Sequence, residues 1–105
     1  MSSRNIIVLQ RRLLRALAGD IRLDILHMLR REDCCVSKIV DRLGHDQPTV
    51  SHGLRYLSRY GFVNSRREGK RIVYKISSRE IDEMFDLMEK HMERNRKLLM
   101  RLMEK

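Results

Sequence analysis

Two short amphipathic segments separated by only a few residues constrain the fold of this chain more than any other feature. The first covers residues 37–43 and stops at Gly44, and the second begins at Pro48 and runs to about Tyr60. Pro48 suits the first position of a helix, because its φ is already helical and its missing N–H would have no partner there. Two helices joined by so short a turn, with a glycine in it, are typical of a helix-turn-helix unit.

After Gly61 the spacing of the apolar residues changes from three or four to two. Residues 62–67 and 70–76 are predicted to form two strands, with Glu68 and Gly69 in the turn between them. The residues expected to face inward are Val63 in the first strand and Ile72, Tyr74 and Ile76 in the second. A basic hairpin that directly follows a helix-turn-helix is a wing.

The residues before this unit show helical spacing and predict two more helices. A first helix ends near Gly19, and a second begins with Asp20 as its N-cap. Their apolar positions are Ile6, Leu9, Leu13 and Leu17 in the first and Ile21, Ile25, Met28 and Leu29 in the second. The predicted fold class is therefore mostly α with a β-hairpin wing (α+β), with a winged helix-turn-helix core over residues 4–77 of a single domain, residues 1–105.

The last segment, residues 78–105, has apolar residues in alternating steps of four and three, which is the spacing of a heptad seam. One polar residue, Asn95, lies on this seam, where a buried amide can specify register and partner number. A chain of 105 residues has little core left to cover so long a helix, so we expect a dimerisation helix rather than one folded back on its own domain. The predicted dimer contacts are Ile6, Leu9, Leu13, Ile81, Phe85, Met88, Met92, Asn95, Leu99 and Leu102.

Positive charge is concentrated in the second helix of the helix-turn-helix and in the wing. The chain carries 23 Lys and Arg against 14 Asp and Glu, a net charge of +9. Residues 47–75 hold 7 of these cations and 1 acid, net +6, whereas residues 1–46 have net +3 and residues 76–105 net 0. This distribution favours double-stranded DNA as the partner, with a merely solvated basic face and an anionic membrane surface as the alternatives.

The side of helix 48–60 opposite its apolar face carries the candidates for reading DNA. Hydroxyls, a histidine and arginines can donate to base edges and phosphates when a helix enters the major groove. Arg55 is the best candidate for a bidentate guanine contact, Thr49 for a thymine methyl and Arg59 for phosphate. Cations that protect an edge strand are the alternative for the wing. The predicted DNA contacts are Gln47, Thr49, Ser51, His52, Arg55, Tyr56 and Arg59 on the helix and Arg66, Arg67, Lys70 and Arg71 on the wing.

Several runs of this sequence are similar to signatures of the ArsR/SmtB family of winged-helix repressors. They are ALAGDIRLDIL at residues 16–26, QPTVSHGLRYL at 47–57, and GFV, RREGKR and YKI at 61–63, 66–71 and 74–76. The similarity covers roughly residues 10–92. The resemblance implies a homodimer built on the first and last helices that binds a palindromic operator and represses transcription.

The recognition helix departs from the family pattern at its centre. The family usually has Ser-x-His-Leu there, whereas this chain has Ser51-His52-Gly53-Leu54, which moves the histidine by one position. Operator preference is therefore not carried over from the family. A glycine inside a helix costs about 1 kcal/mol of helix propensity, and we expect Gly53 to let the backbone approach DNA closely.

Cys34 and Cys35 are the candidate effector site, and no cofactor is predicted otherwise. The family's cysteine cluster has the form Glu-Leu-Cys-Val-Cys, where this chain has Asp33-Cys34-Cys35-Val36-Ser37, so that only Cys35 matches. A thiol near a helix N-terminus has a lowered pKa. The pair could ligate a soft metal or metalloid ion, or act as a redox switch. Alternatively, both residues are small, half-buried apolar side chains.

These observations predict a sequence-specific DNA-binding transcription regulator, a homodimeric repressor that uses recognition helix 48–60 and wing 62–76. Two alternatives stay open: a ligand-independent architectural DNA-binding protein with the same fold, and a thiol or metalloid sensor centred on the two cysteines. We expect no enzyme, because no Ser-His-Asp set, phosphate-binding Gly loop or carboxylate pair is evident. No apolar run is long enough for a membrane span or a signal peptide, so we expect a cytoplasmic protein without a membrane partner.

Overall fold

The computed structural model describes residues 1–104, and its elements follow the predicted order. Helices α1 (Ser3–Leu17) and α2 (Asp20–Arg31) precede strand β1 (Cys34–Cys35) and the helices α3 (Val36–Leu43) and α4 (Gln47–Arg59). Strands β2 (Val63–Glu68) and β3 (Arg71–Ile76) come next, followed by α5 (Arg79–Arg94), α6 (Arg96–Met100) and a 3₁₀ turn (Arg101–Met103). The chain is mostly helical with a small antiparallel sheet, as the sequence predicts.

The turn between α3 and α4 matches the prediction with one shift. Gly44 ends α3 with a φ of 74°, in the left-handed region that glycine adopts without strain. The Asp46 side chain caps α4 by accepting a hydrogen bond from the N–H of Thr49 at 2.9 Å. Pro48 is the second residue of α4 and not the first, because Gln47 already belongs to the helix.

A third strand, which the sequence analysis missed, joins the predicted hairpin. β1 pairs antiparallel with β3 and places Cys34 opposite Tyr74, so that the strand order is β1-β3-β2. The hairpin turn is formed by Gly69, whose φ is 62°, and Lys70, one residue later than predicted. Because β1 directly precedes α3, its pairing with β3 connects the start of α3 to the wing at the end of the hairpin away from the turn, which we call the root of the wing.

The residues predicted to face inward from the hairpin do so except near its tip. Val63 is buried, and Tyr74 and Ile76 pack against the core. Ile72 shares their face of β3 but is 48% exposed, because the wing extends beyond the core at this point. Val73 is buried on the opposite face of the strand.

Helix α2 lies at the centre of the core, where it packs against α4 and β3. Its N-cap is Gly19, whereas Asp20, the predicted N-cap, is the first residue of the helix. Gly53 on α4 faces α2, since an added β-carbon there would lie 3.2 Å from Ile25 Cδ1. The expectation that Gly53 lets the backbone approach DNA is therefore wrong: the glycine lets two helices approach each other. The α4 residues predicted to pack inward, all fully buried, are Val50, Leu54 and Leu57.

The C-terminal segment is not the continuous helix that the heptad spacing predicts. The helix breaks at Asn95, whose φ of −112° is non-helical and whose side-chain amide donates to the His91 carbonyl at 2.9 Å. Phe85, predicted at the dimer seam, is 3% exposed and lies in the core of its own chain, 5.1 Å from the His27 ring. The first half of α5 therefore folds back on its own domain, because α2 presents an apolar surface that Phe85 covers. Lys105, the last residue of the predicted helix, lies outside the described residues.

Arg30 on α2 holds α5 in this position. Its guanidinium donates to Asp82 at 2.6 Å, Asp86 at 2.6 Å and Glu89 at 2.8 Å, three carboxylates on successive turns of α5. It also lies 5.2 Å from the centre of the Phe85 ring. The hydrogen bond to Asp82 is the largest of the effects that raise the pKa of Arg30. One cation thus neutralises a run of carboxylates that would otherwise repel one another.

Candidate nucleic-acid interface

The solvent-facing side of α4 carries polar and cationic side chains with no internal role. Within residues 1–104, His52, Arg55 and Arg59 are exposed, and their side chains make no hydrogen bond or ion pair with the protein. Gln47 and Thr49 are exposed in the first turn, and Ser51 is half-buried. Most of the predicted contact residues on this helix are therefore free to contact a partner.

The N-terminus of α4 is held rigid by its cap. The N–H of Thr49 donates to the Asp46 carboxylate at 2.9 Å, and Thr49, through its side chain and its N–H, lowers the pKa of that carboxyl. The cap therefore stays charged at neutral pH and satisfies a free N–H in the first turn.

Tyr56 differs from the other predicted contacts because its ring is already occupied. It is half-buried, and its ring centre lies 5.2 Å from that of Tyr60. The guanidinium of Arg22, on α2, lies 4.2 Å from the centre of the Tyr56 ring. Tyr56 thus lies at the edge of the exposed side of α4 and is partly covered by Arg22 of α2. No sequence pattern indicated the contact between Tyr56 and Arg22.

The wing begins directly at the end of α4. The Phe62 N–H donates to the Leu57 carbonyl at 2.9 Å, and the Ser77 hydroxyl donates to the Gly61 carbonyl at 2.6 Å. Gly61 has a φ of 80°, so that the chain reverses between α4 and β2 in the left-handed region. These bonds connect both ends of the hairpin to the end of α4.

The four predicted wing cations divide into two kinds. Arg66 is held within the protein, since it donates to Asp33 at 2.7 Å and to Glu68 at 2.6 Å, and these carboxylates raise its pKa. Arg67 is exposed and donates to the Gly69 carbonyl at 3.2 Å. Lys70 and Arg71 are exposed and make no ion pair within residues 1–104. Among the predicted contacts, the cations free to meet a polyanion are therefore Arg67, Lys70 and Arg71, together with Arg55 and Arg59 of α4.

Cys34 and Cys35 occupy different environments although they are adjacent. Successive residues of a strand point to opposite faces, and here Cys34 is buried in the core while Cys35 is partly exposed at the N-cap of α3. Burial raises the pKa of the Cys34 thiol. The Ser37 hydroxyl lies 3.2 Å from Cys35 Sγ, and its hydrogen bond lowers the pKa of that thiol. The two sulfurs therefore do not form a shared ligand pair in this structure.

The predicted dimer contacts are mostly at the surface. Leu13 and Ile81 are half-buried and pack partly against their own core, in addition to the buried Phe85. Exposed members of the set are Ile6, Leu9, Met88, Met92 and Leu102, and half-buried members on the C-terminal segment are Asn95 and Leu99. Further exposed apolar residues on α1 and the C-terminal segment, which the heptad and helical spacing did not select, are Ile7, Val8, Leu14, Leu87, Leu98, Met100 and Met103.

Comparison with known proteins identifies the family. The family model described as bacterial regulatory protein, arsR family, matches residues 19–65. The transcriptional activator HlyU of Vibrio cholerae is 38% identical over 76 residues, which cover 72% of this chain and 70% of that protein. The chain belongs to the ArsR family. The family members that the chain matches act in transcription regulation and are not enzymes.

Further relatives resemble this chain in sequence, and solved structures resemble it in fold. The transcriptional repressor SmtB of Mycobacterium tuberculosis is 38% identical over 69 residues, which cover 66% of this chain and 51% of that protein. The solved structure of reduced HlyU superposes with a TM-score of 0.75 at 33% identity, covering 83% of this chain and 92% of that one. The homodimeric winged helix-turn-helix DNA-binding domain of Mb0332 from Mycobacterium bovis gives a TM-score of 0.76 at 32% identity, covering 85% and 84%. The predicted winged helix-turn-helix fold is confirmed.

Two negative observations apply to the described part of the chain. Within residues 1–104, no three His, Cys, Asp or Glu side chains are grouped closely enough to hold a metal ion. No helix in the same range combines the length and the apolar character that a membrane span needs.

Proposed function

We propose that this ArsR-family chain is a homodimeric transcription regulator that reads a palindromic operator with α4 and contacts the phosphate backbone with its wing. The observation that supports this most is the exposed side of α4, where Arg55, His52 and Arg59 have no partner in residues 1–104. A guanidinium without an internal partner can make the bidentate contact with guanine that dominates major-groove recognition. The neighbouring wing supplies further free cations in Arg67, Lys70 and Arg71.

The exposed apolar side chains support the homodimer. Most of the large apolar side chains exposed in residues 1–104 lie on α1 and the C-terminal segment, and an exposed apolar patch marks an interaction site. A two-fold dimer matches the symmetry of a palindrome, because it presents two recognition helices about 34 Å apart to successive major grooves. The related domain of Mb0332 is described as homodimeric.

We further propose that the regulator acts as a repressor in the cytoplasm, by occupying an operator that overlaps the promoter. Among its relatives, SmtB is named a repressor and HlyU an activator.

Fluorescence polarisation with duplexes from the protein's own promoter region tests the function. We expect sequence-selective binding, with two protomers per duplex, that weakens about 10³-fold or more between 50 and 200 mM salt, because about 6–10 phosphate contacts release counterions. Absent or salt-independent binding would overturn the proposal. Equal affinity for selected and scrambled duplexes would instead favour the architectural alternative.

A second candidate function, a response to thiol modification, is supported by the environment of Cys35. This thiol is partly exposed at a helix N-terminus and its pKa is lowered. It also pairs with Val73 of β3, so that a group attached to it would lie at the root of the wing. Cys34 does not share these properties, because it is buried with a raised pKa.

Alkylation with iodoacetamide at pH 7, followed by mass spectrometry of the peptides, is expected to modify Cys35 about tenfold faster than Cys34, because thiolate fraction and access both favour it. Cys35→Ser should remove the fast reaction, and Cys34→Ser should leave it in place. Faster reaction at Cys34 would contradict this assignment. If alkylated protein binds DNA as tightly as untreated protein, the thiol has no regulatory role.

A further inference from the structure

Arg22 is the one side chain of residues 1–104 seen to join the end of α1, the α1–α2 turn and the recognition helix α4. Its Nε donates to the Ala16 carbonyl at 2.7 Å and its Nη2 donates to the Arg15 carbonyl at 3.1 Å. These carbonyls belong to the last turn of α1, where a positive charge is favoured, and the Arg15 carbonyl also accepts the N–H of Ala18 at 3.2 Å. Arg22, a residue of α2, thus caps the C-terminal end of α1 with two hydrogen bonds.

The turn before α2 is shaped to admit this guanidinium. A β-carbon added to Gly19 would lie 2.5 Å from Arg22 Cζ and 2.6 Å from Nη2, which is well inside van der Waals contact. The φ of Gly19 is −72°, which every residue type adopts. Gly19 therefore leaves the space that the guanidinium occupies, and a larger residue there would displace this flexible group without straining the backbone.

The same guanidinium covers the face of Tyr56 on α4. Its central carbon lies 4.2 Å from the ring centre, a cation–π distance, and the ring is half-buried. The stem of Arg22 also runs along α4, since a β-carbon at Gly53 would lie 3.7 Å from Arg22 Cγ. Tyr56 directly follows Arg55, the predicted guanine-reading residue, so the stack restricts rotation of α4 about its axis at that point.

We propose that Arg22 is a positioning residue that sets the separation and rotation of the two recognition helices in the dimer. The inference rests on the proposed function, because it treats α1 as part of the dimer interface and α4 as the DNA-reading element. A rigid link between the two elements transmits the dimer geometry to the DNA, and the accepted spacing of the half-sites follows from it. Arg22 itself contacts no base.

The test measures spacing preference rather than affinity alone. A duplex enriched by in vitro selection with the wild-type protein is compared with versions that carry one or two extra base pairs between the half-sites. Each insertion moves one half-site by about 3.4 Å along the axis and by about 34° around it. For wild-type protein we expect affinity to fall about tenfold for the first insertion, which is comparable with the effect of a mismatched base pair.

Two variants remove the link from opposite ends. Arg22→Met keeps the apolar stem and loses the guanidinium, and Tyr56→Leu removes the ring while the bonds from Arg22 to α1 remain. Both are expected to reduce the spacing penalty from about tenfold to about twofold, with the salt dependence of binding unchanged. Tyr56→Phe is the matched control for the spacing penalty alone: it keeps the ring and should keep the wild-type penalty, whatever loss of affinity the missing hydroxyl causes at every spacing. Thermal melts establish that each variant is folded at the assay temperature.

The outcomes separate the two proposals. If both variants lose affinity equally for every spacing, or keep the wild-type penalty, Arg22 is structural only and the inference is wrong. If Arg22→Met does not fold, Tyr56→Leu decides the question alone. If wild-type protein enriches no duplex, the proposed function is overturned, and the role of Arg22 with it.

Discussion

Replacing Arg55 with alanine is expected to weaken binding to the selected duplex by at least about thirtyfold and to relax specificity at one base pair of each half-site. A bidentate arginine–guanine contact contributes about 1–3 kcal/mol of discrimination, and a homodimer contains two copies, so the loss is about 2–6 kcal/mol. Arg55 is exposed and makes no ion pair within residues 1–104, so its removal should leave the fold intact. Polarisation titrations against duplexes substituted at every position measure both effects.

Two further variants show whether the weaker binding comes from base reading. Arg59→Ala should weaken binding to all duplexes by a similar factor and lower the salt slope by about 1 for each phosphate that the variant no longer neutralises, because a phosphate contact carries no sequence information. Arg31 is an exposed arginine in the last turn of α2, so Arg31→Ala should bind DNA as the wild-type protein does. If Arg55→Ala binds like Arg31→Ala, α4 does not read bases through Arg55.

Replacing Arg30 with alanine is expected to lower the melting temperature by roughly 10 °C in differential scanning calorimetry. The side chain of Arg30 is only 14% exposed, and its loss would leave Asp82, Asp86 and Glu89 facing one another without a cation. Because these carboxylates are about half exposed and screened by solvent, we expect a cost of about 2 kcal/mol and not the larger cost of a fully buried pair.

The neighbouring residue provides the control for this prediction. Arg31→Ala removes the same charge from the same helix, yet Arg31 makes no ion pair within residues 1–104, so its melting temperature should stay within a degree or two of wild type. Arg30→Lys should fall between the two, since an ammonium group cannot reach three carboxylates at once. Equal melting temperatures for Arg30→Ala and Arg31→Ala would show that the Arg30 contacts do not stabilise the fold.

Local spacing predicted most of the secondary structure because helices and strands have different periods. The apolar face of α4 and the alternation in β3 were both visible from residue spacing, and the glycine at position 44 ended α3 as expected. β1 was missed because a strand of two residues has no period of its own and exists only through its pairing with β3. Pairing between distant segments depends on tertiary structure.

The heptad seam shows how spacing alone can mislead. Phe85 falls on the seam, but α2 presents an apolar surface and Arg30 a cation, so the first half of α5 packs on its own chain. A period of three and four residues shows that one side of a helix is apolar, and it does not show which surface covers that side. The amide of Asn95, predicted to specify partner number, instead bonds to the backbone at the helix break.

The candidate interface, too, was predictable from residue spacing in part only. Residue order alone shows that α4 carries hydroxyls, a histidine and arginines opposite its apolar face, since side-chain direction on a helix follows from residue number. Which of the predicted contacts on α4 and the wing are free depends on tertiary contacts: Arg66 of the wing is held by Asp33, and Tyr56 of α4 lies under Arg22. Both partners are more than thirty residues away along the chain, and a contact at that distance is set by how the helices pack and not by any local pattern.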